Sequence, residues 1–176
     1  MVQYILLMET LKQLESRSWW KYLGEDIQKL LSTSEFLYDV VESWGADLPG
    51  GKEKFHDYSF VLFPAAKAYE GFLKKMFLDM GFITEEDYFG KHFRIGKALN
   101  PSLPRELRNE SVYDKIVNYC RGEALADHLW ETWRLCRNLI FHWFPNEKNA
   151  ITLPEARQRI EMIINAIDEA FEGCKI

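Results

Sequence analysis

The chain has 176 residues, 47% hydrophobic and 15% aromatic, enough apolar side chain to bury one sizeable core and about the length of a single domain. That composition excludes a disordered tail, and a formal net charge of −5 weighs against a protein that coats nucleic acid. Helix-forming Leu, Lys, Glu and Ala are abundant while alternating Val/Ile/Thr patterns are scarce, so the expected class is all-α.

The first expected helix covers residues 2–17. Its opening, MVQYILLMETLKQL, has one short apolar run with no basic region before it, and Glu9 and Lys12 come directly after. It reads as neither a secretory signal nor a membrane span. Three cysteines (Cys120, Cys136, Cys174) with no CxxC pair are expected to give neither a disulfide framework nor a zinc site, which fits a soluble protein in a reducing cytoplasm. A second helix, 21–44, ends before Gly45 and the loop DLPGGKEKFHD, whose Pro and paired Gly forbid helix continuation.

A third helix, 60–80, has Pro64 near its first turn, an apolar stripe at Ala66, Tyr69, Leu73, Met76, Phe77 and Met80, and Gly81 as its stop. It is the expected core helix. Thr84, ahead of Glu85 and Glu86, is the N-cap expected for a fourth helix through about 98, and NPSLP (100–104) is a turn. Then come a short helix over 110–120, a long one over 123–143, and a last one from Leu153-Pro154-Glu155 to about 172. No internal repeat, low-complexity tract or linker divides the chain. Residues 1–58 and 59–176 are taken together as one compact domain.

Charge is uneven along this order. Residues 1–58 carry 6 Lys+Arg against 10 Asp+Glu, residues 122–176 carry 6 against 9, and only the middle, 59–121, is basic with 10 against 8. Its densest part, Lys91-His92-Phe93-Arg94-Ile95-Gly96-Lys97, sets an aromatic among cations and permits an anionic ligand. A solvated helix face is the simpler account of any one of these residues.

The sharpest local signal is RLCRNLIFHWFPNEKN, residues 134–149. On a wheel of about 100° per residue, Leu125, Leu129, Trp133, Cys136, Ile140 and Trp143 share one face, which is the expected core face. Asn138 and His142 point away from it, Arg137 lies at its border, and Trp130 and Phe141 form a second apolar edge beside Arg137. Nine arginines and four histidines give about 0.2 chance Arg-x4-His pairs at this spacing. Requiring Asn directly after the Arg cuts that roughly twentyfold. The bland alternatives are an i, i+4 surface pair of Asn138 and His142, or a histidine favoured by the helix C-terminus.

RNLIFH matches the Arg-x4-6-His signature of the HEPN superfamily, in which Asn usually comes directly after the Arg. Together with FPAAKAYEGFLKKMFLDMGF and RIGKALN, the chain over about 60–172 resembles the HEPN domain of RNase LS-type toxins of toxin–antitoxin systems. The resemblance implies an up-and-down helical bundle with additional helices, and a homodimer whose two copies of the motif meet in a shared cleft. It also implies a metal-independent endoribonuclease with no cofactor, RNA as substrate, a cognate antitoxin protein as possible partner and no membrane. In such enzymes the RNA is cut by its own 2′-hydroxyl, with His142 as general base or acid, Arg137 on the phosphate and Asn138 orienting. Glu70, in KAYEGFLKK, matches the acidic residue of the core helix and is the fourth catalytic expectation. An ordinary Glu70–Lys74 helix pair is its plain counterpart.

Lys67, Lys74, Lys91, Arg94 and Lys97 are the expected RNA contacts. His56, His92 and His128 belong to no motif and are assigned surface or structural roles. Two classes of function stay open on these residues: an endoribonuclease toxin, which the intact Arg137-Asn138-His142 set favours, and a HEPN-type dimerisation or nucleotide/RNA-binding module without turnover, which the acidic net charge keeps open. Impaired growth on expression alone distinguishes the first.

Overall fold

Apolar side chains at helical spacing draw this chain into an all-α bundle. The computed structural model describes residues 13–46, 55–120, 122–143, 145 and 149–176, and no strand occurs among them. In chain order the helices are α1 (Trp20–Leu23), α2 (Glu25–Ala46), α3 (Ser59–Asp79), α4 (Glu85–Phe89) and α5 (Ile95–Ala98). A 3-10 segment at Arg105–Glu110 precedes α6 (Val112–Tyr119) and α7 (Glu123–Trp133), a π-helical segment at Arg134–Asn138 continues α7, and α8 (Leu153–Cys174) closes the order. Most of the expected first helix, and residues 47–54 of the expected loop, lie outside the described residues. Among the described residues no helix is long and apolar enough to cross a membrane.

The central element is α3. Val61, Leu62, Ala65, Ala66, Ala68, Tyr69, Phe72, Leu73, Met76 and Phe77 are all fully buried on it, and burying each large apolar side chain is worth about 1.5–3 kcal/mol. Lengthwise, α2 and α8 lie along α3, α7 packs on α8 and α6 on α7, while α5 and the π segment also reach α3. The Tyr69 hydroxyl, buried with its ring, donates to the Leu129 carbonyl of α7 at 3.0 Å. Helix α8 starts from a capping box in which the Glu155 N–H donates to Thr152 Oγ1 at 3.3 Å and the Thr152 N–H donates to Glu155 Oε2 at 2.7 Å. Its start is tied to that of α3, because the Tyr58 N–H donates to the Ile151 carbonyl at 2.9 Å and the Ile151 N–H to Asp57 at 3.2 Å.

Several expected elements are corrected. The second helix breaks at Gly24, whose φ of 77° is left-handed, into α1 and α2. Pro64 lies in the second turn of α3, which begins at Ser59. Thr84 caps α4 in a capping box with Asp87, but that helix stops at Phe89 instead of running to 98. There the chain turns so tightly over the Glu86 carbonyl that a Cβ at Gly90 would collide with it, and helical structure resumes only at α5. The short helix begins at Val112, with Ser111 Oγ accepting from the Asp114 N–H at 3.1 Å.

The largest correction falls on the expected helix 123–143. It is α-helical only to Trp133; the Leu139 N–H then donates to the Arg134 carbonyl at 3.0 Å, an i to i−5 bond. A π turn holds one residue more than an α turn, so the residues beyond it are rotated by about 100° from their places on the wheel. Leu125, Leu129, Trp133 and Cys136 are buried as expected, but Ile140 is only half-buried and Trp143, assigned to the core face, is 84% exposed.

The cysteines also depart from expectation. Cys120, at the end of α6, and Cys174, at the end of α8, form a disulfide across 54 residues, with Cα atoms 4.4 Å apart. Spacing in the chain gives no hint of it, because the pairing is made by the packing of α6 and α8 around α7. Cys136 is free and buried, its thiol pushed up to about 12 by desolvation.

A candidate active site on α3 and the π segment

Along α3, Phe63, Lys67, Glu70 and Lys74 recur at helical spacing and form one stripe beside the buried one. The π segment touches α3 and delivers Arg137 to that stripe. Arg137 Nε lies 3.5 Å from Glu70 Oε2, an ion pair whose geometry makes no hydrogen bond. The guanidinium carbon is 5.8 Å from the Trp133 ring centroid and 5.6 Å from that of Phe141. Phe141 meets Phe63 edge-on at 5.2 Å, and the Lys67 ammonium stands 5.8 Å from the Phe63 ring. Arg137 is thus mounted between two aromatic rings and a carboxylate.

Its exposure is selective. The side chain is 28% exposed, yet Nε itself is buried and has no hydrogen-bond acceptor among the described residues, so the accessible part lies elsewhere on the side chain. Leaving a buried donor unpaired costs on the order of 1–3 kcal/mol, and the neighbouring Trp133 Nε1 is a second such donor. Asn138, next in the chain, is exposed, as is His142, whose carbonyl accepts from Asn149 Nδ2 at 2.9 Å. Because of the π turn these two depart from their wheel positions, although both do lie outside the core. Trp130 and Phe141, expected clear of the core, are half-buried against it. Among the described residues, the large apolar side chains left exposed here are Phe63 at 44% and Trp143, two residues beyond Phe141.

The expected cations divide. Lys67 joins the Arg137 cluster, whereas Lys74 Nζ donates to the Tyr88 carbonyl at 2.8 Å and sits 6.0 Å from the Phe93 ring. Glu70 therefore pairs across elements with Arg137, not along its helix with Lys74. Lys91 is exposed. Arg94 and Lys97 line a separate cleft of about 460 Å³, whose walls include Phe82, Ile83, Phe93 and Lys115. One close approach connects the two regions: a Cβ at Gly96 of α5 would stand 3.0 Å from Trp133 Nε1, so α5 rests directly on the indole that flanks Arg137.

Sequence reasoning missed Phe63 and the aromatic mount made by Trp133 and Phe141. Phe63 is detectable, since it completes the spacing of Lys67, Glu70 and Lys74. Of the other histidines, His128 Nδ1 is 2.8 Å from Glu169 Oε2, while His56 and His92 are exposed. Among the described residues no three His, Cys, Asp or Glu side chains gather where they would hold a metal ion. The chain matches no family model, no curated protein and no solved structure. What the arrangement offers chemically is a guanidinium between two rings and beside a carboxylate, an amide on the same segment, and an imidazole four residues beyond it.

Proposed function

We propose that this chain is a metal-independent endoribonuclease of HEPN type, the toxin of a toxin–antitoxin pair acting in the cytoplasm. The observation that carries the reading is the mounting of Arg137 by Glu70, Trp133 and Phe141 on a π segment that also carries Asn138 and leads to His142. π turns inside α-helices are frequent at functional sites, and an ion-paired, aromatic-flanked arginine beside exposed polar groups is more than a solvated surface needs.

In the proposed reaction the ribose 2′-oxygen bonds to the adjacent phosphorus as the bond from phosphorus to the 5′-oxygen breaks. The products are a 2′,3′-cyclic phosphate and a 5′-hydroxyl. His142 takes the 2′-hydroxyl proton, and the departing 5′-oxygen gains one, from the partner copy's imidazole or from water. Arg137 meets the charge that builds on the non-bridging oxygens, in a geometry already fixed before the substrate arrives. Asn138 donates to the same phosphate. Glu70 acts through Arg137 as a positioning residue, and Lys67 contacts the RNA backbone. Phe63 and Trp143 supply apolar surface for the two-fold contact of a homodimer.

The test is cleavage of a labelled ribo-oligonucleotide. Arg137→Ala and His142→Ala should each lower the rate at least about a hundredfold while far-UV circular dichroism stays unchanged. The wild type should work in EDTA and leave an all-DNA oligonucleotide whole. Wild-type protein inert on RNA, cleavage only with added divalent metal, or a His142→Ala variant at the wild-type rate would overturn the proposal. A HEPN-type module that binds without turnover would then remain.

A further inference from the structure

The cleft beside α5 has a composition that the Arg137 site leaves unused. Three cations (Arg94, Lys97, Lys115), His92 and two carboxylates (Asp87, Glu110) face it, together with Phe82, Ile83, Phe93 and Ala98. Nearly every charge is engaged. Asp87 accepts from the Thr84 N–H at 3.1 Å and from its hydroxyl at 2.9 Å, Lys97 pairs with Glu110 at 2.6 Å, and Lys115 Nζ donates to the Phe82 carbonyl at 2.6 Å. Arg94 is the remainder: exposed, and without a side-chain ion pair or hydrogen bond among the described residues. The cleft therefore presents one uncompensated guanidinium over an apolar and aromatic wall.

We infer that this cleft holds an unstacked nucleobase of single-stranded RNA, with its phosphate on Arg94 and its ring against Phe93, as a subsite flanking the scissile phosphate. The inference rests on the ribonuclease reading and names its substrate class. Three considerations support it. At about 460 Å³ the cleft lies within the roughly 300–1,000 Å³ of small-ligand sites, large enough for one nucleotide. A base in a duplex is stacked on both faces and cannot enter such a recess, whereas a splayed base of a single strand can stack on an aromatic wall while an arginine takes the backbone.

Position supplies the third. The Phe93 ring lies 6.0 Å from Lys74 Nζ, and Lys74 lies four residues after Glu70, about 6 Å along α3. Gly96 seats α5 on Trp133, the indole that flanks Arg137. Lys74 thus lies between the Glu70–Arg137 pair and the Phe93 wall of the cleft.

The experiment separates binding from cleavage. Fluorescence anisotropy with a labelled single-stranded RNA carrying 2′-O-methyl groups, which cannot react, reads the cleft; the unmodified RNA reads turnover. Arg94→Ala and Phe93→Ala should each weaken binding of the methylated strand about tenfold, while Phe93→Tyr retains it. On reactive RNA, Arg94→Ala should raise KM about tenfold with kcat nearly unchanged. The same sequence as a duplex should bind at least about tenfold more weakly than the single strand. Unchanged affinity in both Arg94→Ala and Phe93→Ala overturns the subsite, as does equal binding of duplex and single strand. Phe93→Ala guards against a false negative at Arg94, and Phe93→Tyr against loss of fold. If the wild type binds the methylated strand through Arg94 and Phe93 yet cuts no RNA, the subsite holds and the nuclease reading falls. If it cuts RNA and both variants bind normally, the nuclease reading holds and the subsite falls.

Discussion

Arg137 stands out in the sequence because RNLIFH sets Arg, Asn and His at a spacing that chance seldom gives. Its mount does not, since the meeting with Glu70 depends on how the π segment lies against α3. That mount leads to two expectations. Glu70→Gln keeps the shape but removes the charge opposite the guanidinium, so kcat should fall about tenfold or more with KM little changed, measured on a ribo-oligonucleotide. Arg137→Lys should not restore activity, because an ammonium has neither the planar fork nor the face that lies between Trp133 and Phe141. A third expectation concerns Gly96. A methyl there would stand 3.0 Å from Trp133 Nε1, inside ordinary contact distance, so the indole must give way and Gly96→Ala should lower stability by about 1–3 kcal/mol in urea melts, with Arg137 losing its alignment as Trp133 shifts.

Helices are read from periodicity, and periodicity carries no sign of where a turn takes in an extra residue. Hence α3 and α8 lie close to their expected ends, whereas the helix expected over 123–143 runs past a π segment and puts Trp143 on the wrong side. A local cap is more legible, because Thr84 with Asp87 completes its bonds within four residues. Thr152→Ala should cost about 1 kcal/mol in a thermal or urea melt. Between elements, the carboxylate of Glu35 on α2 is 1% exposed and pairs with Arg157 of α8, with Asp39 and Glu161 also facing that arginine. Desolvation outweighs the pairing and raises the Glu35 pKa above its ordinary 4.5. The folded state accordingly favours the protonated carboxyl. The stability tied to Glu35 is complete below about pH 4.5 and is lost as pH rises through the higher folded-state value. Wild-type protein should lose more stability between pH 5 and pH 8 than Glu35→Gln, as read from urea midpoints.

At the scale of the molecule, one buried cluster joins Leu14, Trp19, Leu23 and Leu31 to α3, α7 and α8, so residues before 58 contribute to the same core as the candidate site. The all-α class is legible in composition; the disulfide is not, since no spacing rule reports that α6 and α8 end side by side. Closing a loop of 54 residues removes unfolded-state entropy worth about 4 kcal/mol. Dithiothreitol, or Cys174→Ser, should therefore lower stability by about that amount without opening the Arg137 site, and in a reducing compartment the protein stands on its packing alone. If it is a dimer, light scattering at tens of micromolar should give about twice 20.8 kDa, and Phe63→Glu should halve that mass. The bridge has a topological consequence as well. From Cys120 through α7, the π segment and α8 to Cys174 the backbone is a covalent ring, and among its described residues Trp143 is the most accessible aromatic, 84% exposed. Chymotrypsin cutting after Trp143 opens the ring but frees neither piece: the nicked protein should migrate as one species on a non-reducing gel and separate into two once the thiols are restored.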